Sequence, residues 1–230
     1  ATILMLAIGP LVAPERRPAR LREDFAEGLR EVRGRVWLQA SILSGTLFTL
    51  VALPAQSVIG PLVAKDSLGG AAAWSAIVAA WSAGTALGSV AALRLRPMRP
   101  LALCFTLGLV CGGPTLLLLA AAAPTALIAG AELVSGAISG LFFSLESTLL
   151  QEHVPRHALS RVTALHSGTW AVVQPLGLAL VGGLVATLGP TRTLVLAAGV
   201  AFLSNGLPLA LRDVRRLGWV ETPVAAAVEA

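Results

Sequence analysis

The chain has 230 residues, 56% of them hydrophobic and 13% charged, with a formal net charge of +5. Ordinary soluble domains carry close to a quarter charged residues, so this composition excludes one. Nor does the positive balance point to nucleic acid, because the basic residues are spread over several connecting segments with no aromatic-lined basic face.

Uncharged runs occupy residues 36–64, 67–93, 100–131, 162–191 and 193–211. A hydrocarbon core about 30 Å thick needs roughly 20 apolar helical residues. The runs are continuous, rich in Leu and Ala, and do not alternate, which argues against barrel strands. The fold class expected is an all-α polytopic membrane protein.

Residues 1–13 are apolar but too short to span, and read as the end of a preceding, truncated membrane helix with no signal-peptide pattern. Residues 14–35 form a charged connector in which Leu21, Phe25, Leu29 and Val32 share one helical face. That fits a helix lying on cytoplasmic headgroups or a solvated linker helix. Residues 36–211 then hold six spans. The first, about 36–59, begins with Trp37 as an interface anchor and places Ser41, Ser44, Gly45, Phe48, Ala52 and Gln56 near one face. Pro54 should interrupt it, and 65–70 should be its outer loop. The second, about 71–93, has Trp74 at the outer interface, Trp81 deeper, and Gly84 and Gly88 at the spacing that lets helices approach closely. The third, about 101–121, repeats that spacing with Gly108 and Gly112, and its Cys104 and Cys111 stand too far apart along one helix for a disulfide.

The fourth span, about 125–150, is the most informative. Glu132, Ser135, Gly136, Ser139, Gly140, Phe143 and Glu146 recur at helical spacing and form one small or polar face. Glu132 falls roughly 10 Å below the outer surface, inside the hydrocarbon. An ionisable residue there is expensive unless it meets a cavity or a partner, so a functional role is the default. Desolvation favours a protonated carboxyl, which suits a proton-binding site. Glu146 lies near the inner interface, where pairing with loop arginines is expected. A basic turn leads to the fifth span, about 162–188, with Trp170, Gln174, Pro175 and Gly177, then Gly182 and Gly183, which should be a broken return helix. The sixth covers about 193–211, and 212–230 is a tail.

Assigning the loops alternately to two sides puts fifteen basic residues on one side and only Lys65 and Arg192 on the other. By the positive-inside rule the arginine-rich side, with both flanks and the C-terminus, is cytoplasmic. Six spans in two sets of three suit half of a transporter built from inverted repeats, with the cell membrane as its location.

Other chemistries find little support. His153 and His157 are four apart, but Pro155 breaks the helix that would align them, so no metal site is expected. Lys65 has no preceding phosphate loop, no nucleophile-base set is evident, and neither an enzyme nor a cofactor is expected. Any energy source is then an ion gradient.

The segment Arg30-Glu-Val-Arg33-Gly-Arg-Val-Trp37-Leu resembles the opening of the C-terminal half of major facilitator superfamily exporters, in particular the enterobactin-exporter-like branch. The hairpin Leu150-Gln151…Val154-Pro155…Leu159-Ser160-Arg161-Val162-Thr163-Ala164-Leu165 is similar to a turn of that branch, as is Pro175-Leu176-Gly177 followed by Gly182-Gly183. The loop at 94–99 lacks the acid usual in the family's loop motif, and His166 stands where an acid or aromatic is frequent. The resemblance implies a proton-coupled antiporter, half present here, exporting small hydrophobic or amphipathic molecules such as drugs, siderophores or secondary metabolites. It implies a separate or missing N-terminal six-helix half as partner. Within this frame Glu132 and Glu146 are proton-coupling candidates. Gln56, Ser135, Ser139, Trp81, Trp170 and Gln174 are substrate-path candidates, and Gly84, Gly88, Gly136 and Gly140 are helix-packing positions. The rival is a truncated or non-transporting membrane scaffold.

Overall fold

A computed structural model describes residues 21–219, and every regular element in it is helical. The expected helix end at 1–13, the start of the connector and the tail from 220 lie outside the described residues. A short helix α1 (Leu21–Arg33) precedes six helices long and apolar enough to cross a membrane. These are α2 (Val36–Leu68), α3 (Ala71–Ala92), α4 (Pro100–Ala120), α5 (Thr125–His153), α6 (Arg156–Leu188) and α7 (Pro190–Ala210). A single turn, α8 (Arg212–Arg216), follows. The molecule is a polytopic membrane helical bundle.

Several boundaries depart from the sequence expectation, each for a local reason. Helix α2 does not stop near 59 but continues through Lys65 and Asp66, and only Gly69 and Gly70, both at positive φ (96° and 86°), turn the chain. It accommodates Pro54 with a wider, π-helical turn at Phe48–Ala52. A proline offers no N–H to the preceding turn and its ring crowds the carbonyl there, so widening the turn relieves both. The return helix α6 is likewise unbroken over 33 residues despite Pro175, Gly182 and Gly183. The expected charged turn is reduced to Val154 and Pro155, and α6 starts straight after the proline, whose fixed φ suits a helix start.

The tightest packing joins α3 to α5. Gly84 and Gly88 lie against the backbone of Leu133 and Ala137, and Gly136 and Gly140 lie against the carbonyls of Trp81 and Thr85. A Cβ at any of the four would collide with main chain, which cannot move aside as a side chain can. Ser89 Oγ donates to the Gly140 carbonyl at 3.5 Å across the same seam. Helix α4 packs on α7, with Phe202 filling the space over Gly113. Helix α6 touches the rest more sparingly, chiefly at Gly177, which lies against the Leu50 carbonyl beside Pro54, and at Trp170, which lies on Gly45. Its Val172 and Leu176 are 66% and 60% exposed, as apolar side chains in a bilayer can be.

Two apolar cores cap the bundle at opposite ends. One gathers Ala55, Ile59, Ile77, Ile128, Val181 and Leu194, and the other Trp37, Leu38, Leu101, Leu149, Val162 and Val214. Trp37 is therefore not an interface anchor: it is buried in the second core, edge-on to His153 with ring centroids 6.0 Å apart. The same end is tied by polar contacts. Arg35 pairs with Glu31 and donates to the His153 carbonyl at 3.2 Å, placing a cation at the C-terminus of α5. Glu27 on α1 pairs with Arg161 at 2.9 Å, and Gly28 sits against Leu165, so α1 packs on the start of α6.

Candidate functional site

Between the two cores the six spans leave a cavity of about 410 Å³. Helix α2 contributes Ser44, Gly45, Phe48, Thr49, Leu53, Gln56 and Ser57, a larger part of the stripe read from its sequence. Ala52 from that stripe packs instead in an apolar core, and Ser41 is buried outside the cavity lining. Helix α5 contributes Glu132, Ser135, Ser139, Phe142 and Phe143. These follow from geometry: on a helix tightly locked to α3 along Gly136 and Gly140, positions 132, 135, 139 and 143 share the adjoining face.

Glu132 is 3% exposed, and its Oε1 accepts a hydrogen bond from Gln56 Nε2 at 2.6 Å. This joins α2 to α5 and satisfies part of a carboxyl that would otherwise be orphaned in an apolar setting. Ser139 Oγ donates to the Ser135 carbonyl one turn away at 2.9 Å. Trp81 and Trp74 enter from α3 and Trp170 from α6. Trp170 stands in a run of rings, with Phe143 at 5.7 Å and His166 at 4.7 Å between centroids. Its indole Nε1 is buried with no hydrogen-bond partner among the described residues.

Two of the sequence candidates stand elsewhere. Gln174 is exposed on α6 and does not line the cavity. Glu146 is sealed away from it, 3% exposed, with Oε1 lying 3.6 Å from His166 Nε2. Among the described residues no arginine pairs with Glu146, whose side chain is buried in the bundle. At 3.6 Å the contact is beyond ordinary hydrogen-bond length, and neither facing atom makes a hydrogen bond among the described residues.

Sequence reasoning missed the contribution of α4 and α7. Cys104, Phe105, Gly108, Cys111 and Gly112 line the cavity, as do Ser204 and Asn205. The cysteines and glycines gave only a packing signal. Asn205 donates from its Nδ2 to the Ala201 carbonyl of its own helix at 2.9 Å, while its Oδ1 rests against Gly108. His153 and His157 lie on either side of the break at Pro155, His153 Nδ1 meeting the Leu149 carbonyl at 3.2 Å and His157 facing Glu27 at 3.8 Å. No cluster of His, Cys, Asp or Glu with metal-holding geometry occurs among the described residues.

No family model matches the chain, and no solved structure matches it. A stretch of 70 residues, 30% of the chain, is 39% identical to part of an uncharacterized MFS-type transporter, y4rN, of Sinorhizobium fredii. The match spans 16% of that protein's length. Six membrane-length helices are in keeping with a relative of that description.

Proposed function

We propose that this chain forms a six-helix half of a secondary transporter, with the cavity between its two apolar cores as the solute path. The observation that carries the reading is the Glu132–Gln56 contact: a carboxyl inside a membrane-length helix, hydrogen-bonded and facing a cavity large enough for a small molecule. The similarity to a named MFS-type transporter supports the same reading. On it, Glu132 is the proton-coupling group and the direction is export, with the arginine-rich end cytoplasmic. The solutes are small amphipathic molecules, since aromatic rings from five helices face a few isolated polar groups. The lining contains one carboxyl and no Lys, Arg or His, which favours neutral or cationic solutes over anionic ones. A second six-helix half packs on the sparsely covered faces of α3 and α6 and completes the path.

The test is proton-coupled efflux of a fluorescent amphiphile from everted vesicles carrying the transporter. Glu132→Gln keeps the shape and the bond from Gln56 but cannot exchange a proton. Coupled efflux should disappear while the protein still inserts. Undiminished coupled efflux in that variant would overturn the assignment.

A further inference from the structure

Away from the cavity, four arginines converge on one groove. Arg99 stands just before α4, and Arg212, Arg215 and Arg216 come from the turn after α7; together they line a groove of about 360 Å³. The convergence is held in place. Trp219 Nε1 donates to the Pro97 carbonyl at 2.9 Å, fastening the segment after α8 to the loop between α3 and α4, and Val214 is fully buried beneath the arginines. Among the described residues no carboxylate lines the groove, and no ion pair joins Asp213 or any other acid to these four cations. Four like charges held around one hollow repel one another unless an anion sits among them.

The surroundings say which anion. Arg99 and Arg212 flank the ends of membrane-length helices, so the groove lies at the level of lipid headgroups. Large apolar side chains next to these arginines in sequence are bare: Met98, before Arg99, is 88% exposed, and Leu211, before Arg212, is 38% exposed. A soluble anion has no use for such neighbours, whereas a lipid places acyl chains against them and its phosphate among the guanidinium groups, which bind phosphate oxygens in pairs. We propose that this groove is a binding site for the headgroup of an anionic phospholipid. It fastens the loop between α3 and α4 to the end of α7 and does not depend on what the cavity carries.

The experiment purifies the full chain from nanodiscs containing equal amounts of phosphatidylglycerol and phosphatidylcholine, then counts the lipids retained by mass spectrometry. The wild type should retain phosphatidylglycerol roughly tenfold or more over phosphatidylcholine. The triple change Arg99→Gln, Arg215→Gln, Arg216→Gln should remove most of that preference, while Arg192→Gln at the opposite end should leave it intact. A wild type without preference overturns the proposal with no variant needed. A preference that survives the triple change, or is lost equally in Arg192→Gln, also overturns it. Displacement of the lipid by millimolar inorganic phosphate would show a soluble-anion site and overturn the lipid assignment.

Discussion

Glu132 and Glu146 stand on one helix, fourteen residues and roughly 20 Å apart, and both are 3% exposed. Their surroundings differ completely. Glu132 meets an amide donor at 2.6 Å and borders the cavity, while Glu146 faces an imidazole at 3.6 Å and is not among the residues lining that cavity. Burial alone therefore does not separate the proposed proton site from the second acid. Of the two, Glu132 is the one that borders the cavity.

The largest effects should fall on the frame that holds both acids. Gly136 and Gly140 bring α5 onto α3, so Gly140→Leu should disrupt assembly, at a cost above about 3 kcal/mol, because the collision is with main chain. Gly182→Leu on α6, where nothing lies within 4 Å of an added Cβ, should change stability by less than about 0.5 kcal/mol. Thermal unfolding in detergent compares the two, and equal losses would mean that the α3–α5 seam is not what sets the position of the acids.

Next comes the contrast between the acids themselves. If Glu146 and His166 only fill space, replacing both with apolar residues of similar volume, as in Glu146→Leu with His166→Phe, should be neutral or stabilising by about 1–3 kcal/mol. Either change alone leaves the other polar group buried with less compensation and should destabilise by a similar amount. Glu132→Leu should destabilise as well, since it strips Gln56 of its acceptor, and changing Gln56→Leu with it should recover part of the loss. A double-mutant cycle on melting temperatures reads both pairs. A Glu146→Leu, His166→Phe double variant as destabilised as the Glu132→Leu, Gln56→Leu one would erase the distinction drawn between the pairs.

How far these differences can be read from sequence depends on the kind of signal. The six spans were legible because a bilayer imposes length and apolarity, and the α5 face because Glu132, Ser135, Ser139 and Phe143 keep a helical period. Proline and glycine misled: Pro175, Gly182 and Gly183 predicted a broken helix, but the rise of α6 is kept by the hydrogen bonds of its other residues. Trp37 misled in the opposite way, since an aromatic at a span's start fits an interface anchor as well as a core residue. The partner of Glu146 was out of reach, because His166 is twenty residues away on another helix and no local period relates the two. For the same reason the contribution of Asn205 to the cavity came only with the packing of α7 against α4.

A small effect belongs to Trp170, which bridges the two environments by touching His166 on one side and the cavity on the other. Its indole N–H has no acceptor, so removing that group by Trp170→Phe sacrifices no hydrogen bond and should cost less than about 1 kcal/mol despite the smaller ring. Trp219→Phe, by contrast, loses a bond to the Pro97 carbonyl and should cost about 0.5–1.5 kcal/mol. Binding should show the reverse order. An amphiphile that enters the cavity should quench Trp170, so Trp170→Phe should remove part of the fluorescence response, while Trp219→Phe should leave the response unchanged. If the two variants lost equal response, the solute would not be in the cavity, and the separation between the site of Glu132 and the sealed surroundings of Glu146 would have no functional meaning.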